Sequence, residues 1–87
     1  MTMKKIKFLN RVYTPIQSDY VGLDDIVSIN GIVGWLDFIG EDMLAVIDEK
    51  DILHKIATEE IHSVVKYTNF INGNMTNIPI QSLIKAA

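Results

Sequence analysis

Short apolar runs separated by polar breaks fill this chain, and the run lengths suit strands rather than long helices. From Lys5 to Tyr13, Ile6, Phe8 and Val12 point one way and Lys5, Lys7 and Arg11 the other, which predicts a strand with one wet face. Thr14-Pro15 breaks it. Residues 16–25 carry Gly22 and three aspartates and predict a loop. Ile26 to Ile39 is the longest extended stretch, with Gly31 and Gly34 inside it. Asn30-Gly31 suits a tight hairpin turn, since that pair favours positive φ. The alternative is one long strand bent at its glycines, and that bend is preferred because Gly34 serves it and not the turn.

After the Gly40-Glu41-Asp42 turn, Met43 to Asp48 predicts a strand and Glu49-Lys50-Asp51 a hairpin loop. A helix over 42–56 has partial spacing in its favour, but the β-branched content and the central Glu-Lys-Asp break argue against it. Ile52 to Ala57 is a strand with Ile52, His54 and Ile56 on one face. Thr58-Glu59-Glu60 is a minimal connection, and Ile61 to Tyr67 is the last strand. Asn69 to Asn77 predicts a loop. Ile78 to Ala87 predicts a short strand or one to two turns of helix, with Pro79 allowed at a helix start. The spacing is that of an all-β chain: a small, strongly bent, five-stranded antiparallel barrel over about 4–67, with a loop and C-terminal extension over 68–87.

The 87 residues make one domain, 48% hydrophobic and 22% charged, which is not a disordered composition. No apolar run reaches the roughly 18–20 residues of a membrane span. The lysines of residues 1–7 have no apolar stretch behind them, so no signal peptide is expected, and a cytoplasmic protein is. The absence of cysteine excludes disulfides, thiolate metal sites and cysteine nucleophiles. So small a chain with so much Ile, Val and Leu invites oligomerisation.

Charge divides the chain. Residues 1–18 carry a net +4 from Lys4, Lys5, Lys7 and Arg11, residues 19–51 a net −8, and residues 52–87 a net +1. A uniformly basic nucleic-acid binder would look different, but the N-terminal arm is a local basic patch. Cations and aromatics interleave from Lys5 to Tyr13, as phosphate-and-stacking surfaces do. Trp35 is either core packing or a stacking platform. The two histidines, His54 and His62, lack a short ligand spacing and read as ordinary strand residues. The acid pairs Asp24-Asp25, Glu41-Asp42 and Glu59-Glu60 read as solvated turn residues. No phosphate-binding loop or nucleophile elbow is present. No enzyme activity, cofactor or metal site is expected.

Gly34-x-Leu36-x-x-Ile39-x-x-x-Met43-x-x-x-Ile47 resembles the first conserved motif of the Sm and Sm-like (LSm, Hfq-like) proteins. Ile56 to Val64 is placed like the second motif: strand, minimal turn, closing strand. The resemblance covers residues 26–66. It departs from the family at Gly40, Leu44 and Thr58-Glu59, where the family has its acidic, base-binding Asn and Arg/Lys-Gly residues. The resemblance therefore implies the fold and a ring, in which the fourth strand of one copy pairs with the fifth of the next, but not the family's base pocket.

The expected function is a ring-forming, non-enzymatic nucleic-acid-binding protein, with RNA favoured over DNA. The alternative is a protein-interaction or inhibitor module on an SH3-like barrel. A third possibility, a small-ligand or metal-binding barrel using His54 and His62, ranks below both. Nucleic acid is expected at Lys4, Lys5, Lys7, Arg11, Tyr13 and Trp35. The homo-oligomer interface is expected at Ile52, His54, Ile56, Ile61, Val64 and Val65, and proline at Ile56 or Val64 is expected to dissociate it.

Overall fold

The computed structural model describes residues 5–68 and 78–84, and they form an antiparallel, mostly β structure. The strands are β1 (Ile6–Phe8), β2 (Arg11–Tyr13), β3 (Tyr20–Val21), β4 (Ile26–Ile29), β5 (Ile32–Ile39), β6 (Met43–Ile47), β7 (Leu53–Ala57), β8 (Val64–Lys66) and β9 (Ile78–Pro79). A single 3-10 turn spans Thr58–Glu60, and a four-residue helix, α1, spans Ile80–Leu83. The central sheet has five strands in the order β7-β6-β5-β4-β8. Among the described residues β7 and β8 do not pair with each other, so the sheet is open and not closed into a barrel.

The five strands differ from the expected five at the start of the chain. The stretch from Lys5 to Tyr13 is not one strand of the central sheet but a separate hairpin. Leu9 and Asn10 turn it with φ of 49° and 64°, and Phe8 faces Arg11. This turn reverses the expected faces. Val12 lies opposite Lys7, and Arg11 and Tyr13 share the face of Phe8 and Ile6. Within the expected bent strand, the turn forms at Asn30-Gly31, with φ of 52° and 86°, and Ile29 faces Ile32. The preferred single bent strand is thus replaced by a hairpin. Gly34 still has its own role: a Cβ there would collide with the Ile47 carbonyl and lie 2.6 Å from Val46 Cγ1. The sheet curls tightly at this point, and a register shift between Leu36 and Phe38 adds to the curl.

Register sorts the core. Val27, Ile29, Leu36, Leu44, Val46, Ile56 and Val64 share one face of the sheet, and all but Val64 are buried. Val21 and Ile61 close the sides. Residues 78–84 cover the remaining face: β9 pairs with β3, and Ile80 and Leu83 of α1 enter the core. The short strand and the helix proposed as alternatives for the C-terminal segment therefore both occur, one after the other. The loop expected at 69–77 lies outside the described residues.

Two polar contacts lock the connections. Asn30 donates from Nδ2 to the Glu60 carbonyl and accepts at Oδ1 from the N–H groups of His62 and Ser63. Thr58 donates its hydroxyl to the Glu41 carbonyl and its N–H to that of Asp42. Strand β8 is consequently shorter than expected, since Ile61 to Ser63 belong to the connection.

Candidate functional site

Two surfaces carry the residues singled out by sequence: the sheet edges and the β1–β2 hairpin. On β7, the bonds from Asp48 N–H to the Ile52 carbonyl and from Thr58 N–H to the Asp42 carbonyl fix the phase of the ladder. His54 and Ile56 exchange their bonds with β6, and Leu53, Lys55 and Ala57 turn their N–H and C=O groups outward. Leu53 and the preceding Ile52 are about half exposed (47% and 51%). Beside β8, the Ser63 carbonyl accepts from Asn30 and the Tyr67 N–H donates to Ile26, so the backbone groups of Val64 and Lys66 point outward along the edge while the Lys66 side chain is buried. The Lys66 carbonyl is already taken by the Ile16 N–H at 2.8 Å.

Beneath β8 lies a buried ion pair. Lys66 Nζ sits 3.4 Å from Asp25 Oδ2 and donates to the Tyr20 carbonyl at 2.9 Å. Both side chains are almost fully buried, and Asp25 also accepts the Gly22 N–H. Asp25 is therefore not the solvated turn residue that its pairing with Asp24 suggested. Lys66 falls on the inward face of β8, opposite Val27, and needs a counter-charge there.

The hairpin rests on the outer face of the sheet through Phe8, whose ring meets Trp35 edge to face at 5.8 Å. Trp35 is half-buried in this contact. Lys5, Lys7 and Arg11 are exposed, and Tyr13 is half-buried. Lys5 and Lys7 occupy different strand positions from Arg11 and Tyr13, so the cations do not form the single wet face expected. None of Lys5, Lys7, Arg11, Lys50 and Lys55 forms an ion pair with a described residue. Lys4 lies outside the described residues.

The interface residues expected from sequence separate into two groups. Ile56 and Ile61 are buried in the core of the chain itself. Ile52 is exposed, and His54, Val64 and Val65 are half-buried. His54 is further engaged: its Nε2 lies 2.7 Å from Asp48 Oδ2. Asp48 Oδ1 accepts the N–H groups of Lys50 and Ile52, which organises the β6–β7 turn. The hydrogen bond from His54, with these backbone N–H groups, holds the Asp48 carboxyl below its ordinary pKa. Among the described residues no group of three or more His, Asp or Glu could hold a metal ion.

Between the hairpin and this turn opens a cleft of about 370 Å³, with Lys7 and Phe8 on one wall and Ile32, Val33, Ile52 and His54 on the other. Sequence reasoning missed this cleft, because its walls come from segments some forty residues apart, as in the bond from Leu9 N–H to Glu49 Oε2. The expectation of one long N-terminal strand also hid the turn that aims the hairpin at it. Among the described residues no helix is long and apolar enough to cross a membrane. No protein-family model, curated protein or solved structure matches the chain.

Proposed function

We propose that the protein is a non-enzymatic, cytoplasmic nucleic-acid-binding subunit, for RNA in preference to DNA, that pairs edge to edge into a homo-oligomeric ring of Sm-like subunits. The observation that carries this reading is the placement of β7 and β8 at the two edges of the curled sheet. They are the fourth and fifth strands of that sheet in chain order, the pair through which the resembled family closes its rings. Leu53, Lys55 and Ala57 on one edge and Val64 on the other offer backbone groups to a neighbour. A head-to-tail arrangement that closes satisfies both edges in every copy.

The ring gathers the hairpin cations. Lys5, Lys7 and Arg11 are exposed and, among the described residues, without ion-pair partners, so they are available to phosphates once several copies share a face. Binding is by phosphate contact with little sequence preference. Fluorescence anisotropy with labelled U-rich, A-rich and mixed RNAs and one DNA tests this. Changing Lys4, Lys5 and Lys7 together to Gln is expected to weaken all of them alike. Each lost contact flattens the slope of log K against log salt by about 0.7 for a single strand. Absence of binding at low salt defeats the nucleic-acid reading.

A second reading has one observation in its favour. The β7 edge is bare and flanked by exposed Ile52 and Leu53, which suits addition of a strand from a different protein. A protein that stays monomeric and binds no oligonucleotide, yet is captured by an extended apolar peptide, favours this adaptor.

A further inference from the structure

The cleft under the β1–β2 hairpin has the chemistry of a ligand site. It contains two carboxylates, Asp48 and Glu49, and two ammonium groups, Lys7 and Lys50. The carboxylates are committed. Asp48 accepts two backbone N–H groups and meets His54, and Glu49 accepts the Leu9 N–H. The ammonium groups form no ion pair with a described residue. The four charges of the lining balance, and the side-chain donors left free in it are the two ammonium groups. Its volume, about 370 Å³, falls in the roughly 300–1,000 Å³ range of small-molecule sites.

The same bonds decide what kind of anion fits. A bare inorganic anion is best held by converging backbone N–H groups. In this turn those of Lys50 and Ile52 are consumed by Asp48. What remains is an apolar wall of Ile32, Val33 and Ile52 facing Lys7, with Lys50 beside it, while the Phe8 side chain is buried against Trp35. That combination suits a flat apolar body carrying an anionic group.

We infer that the cleft seats one nucleotide unit of the bound strand, with its base on the wall of Ile32, Val33 and Ile52 and its phosphate between Lys7 and Lys50. This rests on the nucleic-acid reading above and adds Lys50, Val33 and Ile52 to the binding surface. The site lies at the end of the sheet opposite Gly40, Leu44 and Thr58-Glu59, where the resembled family's pocket residues are missing. Asp51, exposed on the same turn, opposes phosphate there.

Trp35 reports on the site, because it touches Phe8 and is the only tryptophan. Titration with uridine or adenosine monophosphate is expected to change its emission saturably. Uridine, adenosine and inorganic phosphate alone should bind about tenfold more weakly or worse, and the double variant Lys7→Gln/Lys50→Gln should lose about tenfold for the monophosphates. Inorganic phosphate binding as well as the nucleotides overturns the inference.

A second arm uses oligonucleotides. Ile52→Glu places a charge in the cleft, and Phe38→Glu places one on an exposed position at the far end of β5. The cleft predicts about a tenfold loss for the first and under twofold for the second. Asp51→Asn should tighten binding by about twofold. Equal losses for the two Glu variants, with binding otherwise intact, overturn the cleft and leave the hairpin cations standing. No binding of any oligonucleotide by the wild type overturns both. A retained amide NMR spectrum shows that each variant is folded.

Discussion

The two edges of the central sheet differ in what holds them. Edge β8 is anchored from below by the buried Asp25–Lys66 pair and overlaid at one end by Ile16. Edge β7 has no such cover among the described residues: its inward positions bond to β6 and its outward positions face solvent. The comparison separates two jobs. One edge is tied down within the chain, and the other leaves its outward backbone groups open to solvent. In the proposed ring a neighbour's β7 would meet β8 first at Val64, because the Ile16 N–H already occupies the Lys66 carbonyl.

The largest expected effect comes from the anchored edge. Asp25→Ala leaves the Lys66 ammonium buried without its counter-charge, and breaking a buried pair from one side costs about 3–5 kcal/mol. Urea denaturation should show this as a lower midpoint. Replacing both partners by apolar residues should recover much of the loss, since the penalty arises from the stranded charge. Next comes the curl that the two edges share. Gly34→Ala drives a Cβ into the Ile47 carbonyl, and overpacking against backbone costs about 3 kcal/mol or somewhat less.

Proline sharpens the contrast at the open edge. The Ile56 N–H bonds within the subunit, so Ile56→Pro should unfold it, and the expectation that this change dissociates an intact subunit is corrected. Lys55→Pro removes an outward N–H, which an edge strand tolerates. It should leave thermal stability within about 1 kcal/mol of wild type and abolish assembly. Val64→Pro should act the same way from the other edge, since its N–H also faces outward.

The smallest effect is at the β6–β7 turn beside the open edge. The folded state holds Asp48 below its ordinary pKa, so its contribution is present above about pH 4 and is lost as pH falls through the lowered folded value. Melting temperature against pH should therefore fall less steeply on the acid side in Asp48→Asn than in wild type.

Much of the sheet was legible because alternation, turn residues and β-branched runs agree from Ile26 to Ala57. Asn30-Gly31 and Gly34 each carried their own signal, and the error lay in treating turn and bend as exclusive. The N-terminal hairpin was not legible, because Leu9-Asn10 lacks the glycine that usually marks such a turn, yet both residues adopt positive φ. The buried Lys66 and Asp25 were not legible either. A charged residue between Val65 and Tyr67 signals burial only once the register places it opposite Val27. The cleft depends on contacts between the β1–β2 hairpin and the distant β6–β7 turn and left no local pattern.

The most direct measurement is the mass of the wild-type protein in solution by light scattering at micromolar concentration. Pairing of the two edges predicts one discrete mass, a fixed multiple of the 9.8 kDa subunit, that collapses to 9.8 kDa in Lys55→Pro. A wild-type protein that weighs 9.8 kDa under these conditions contradicts the account.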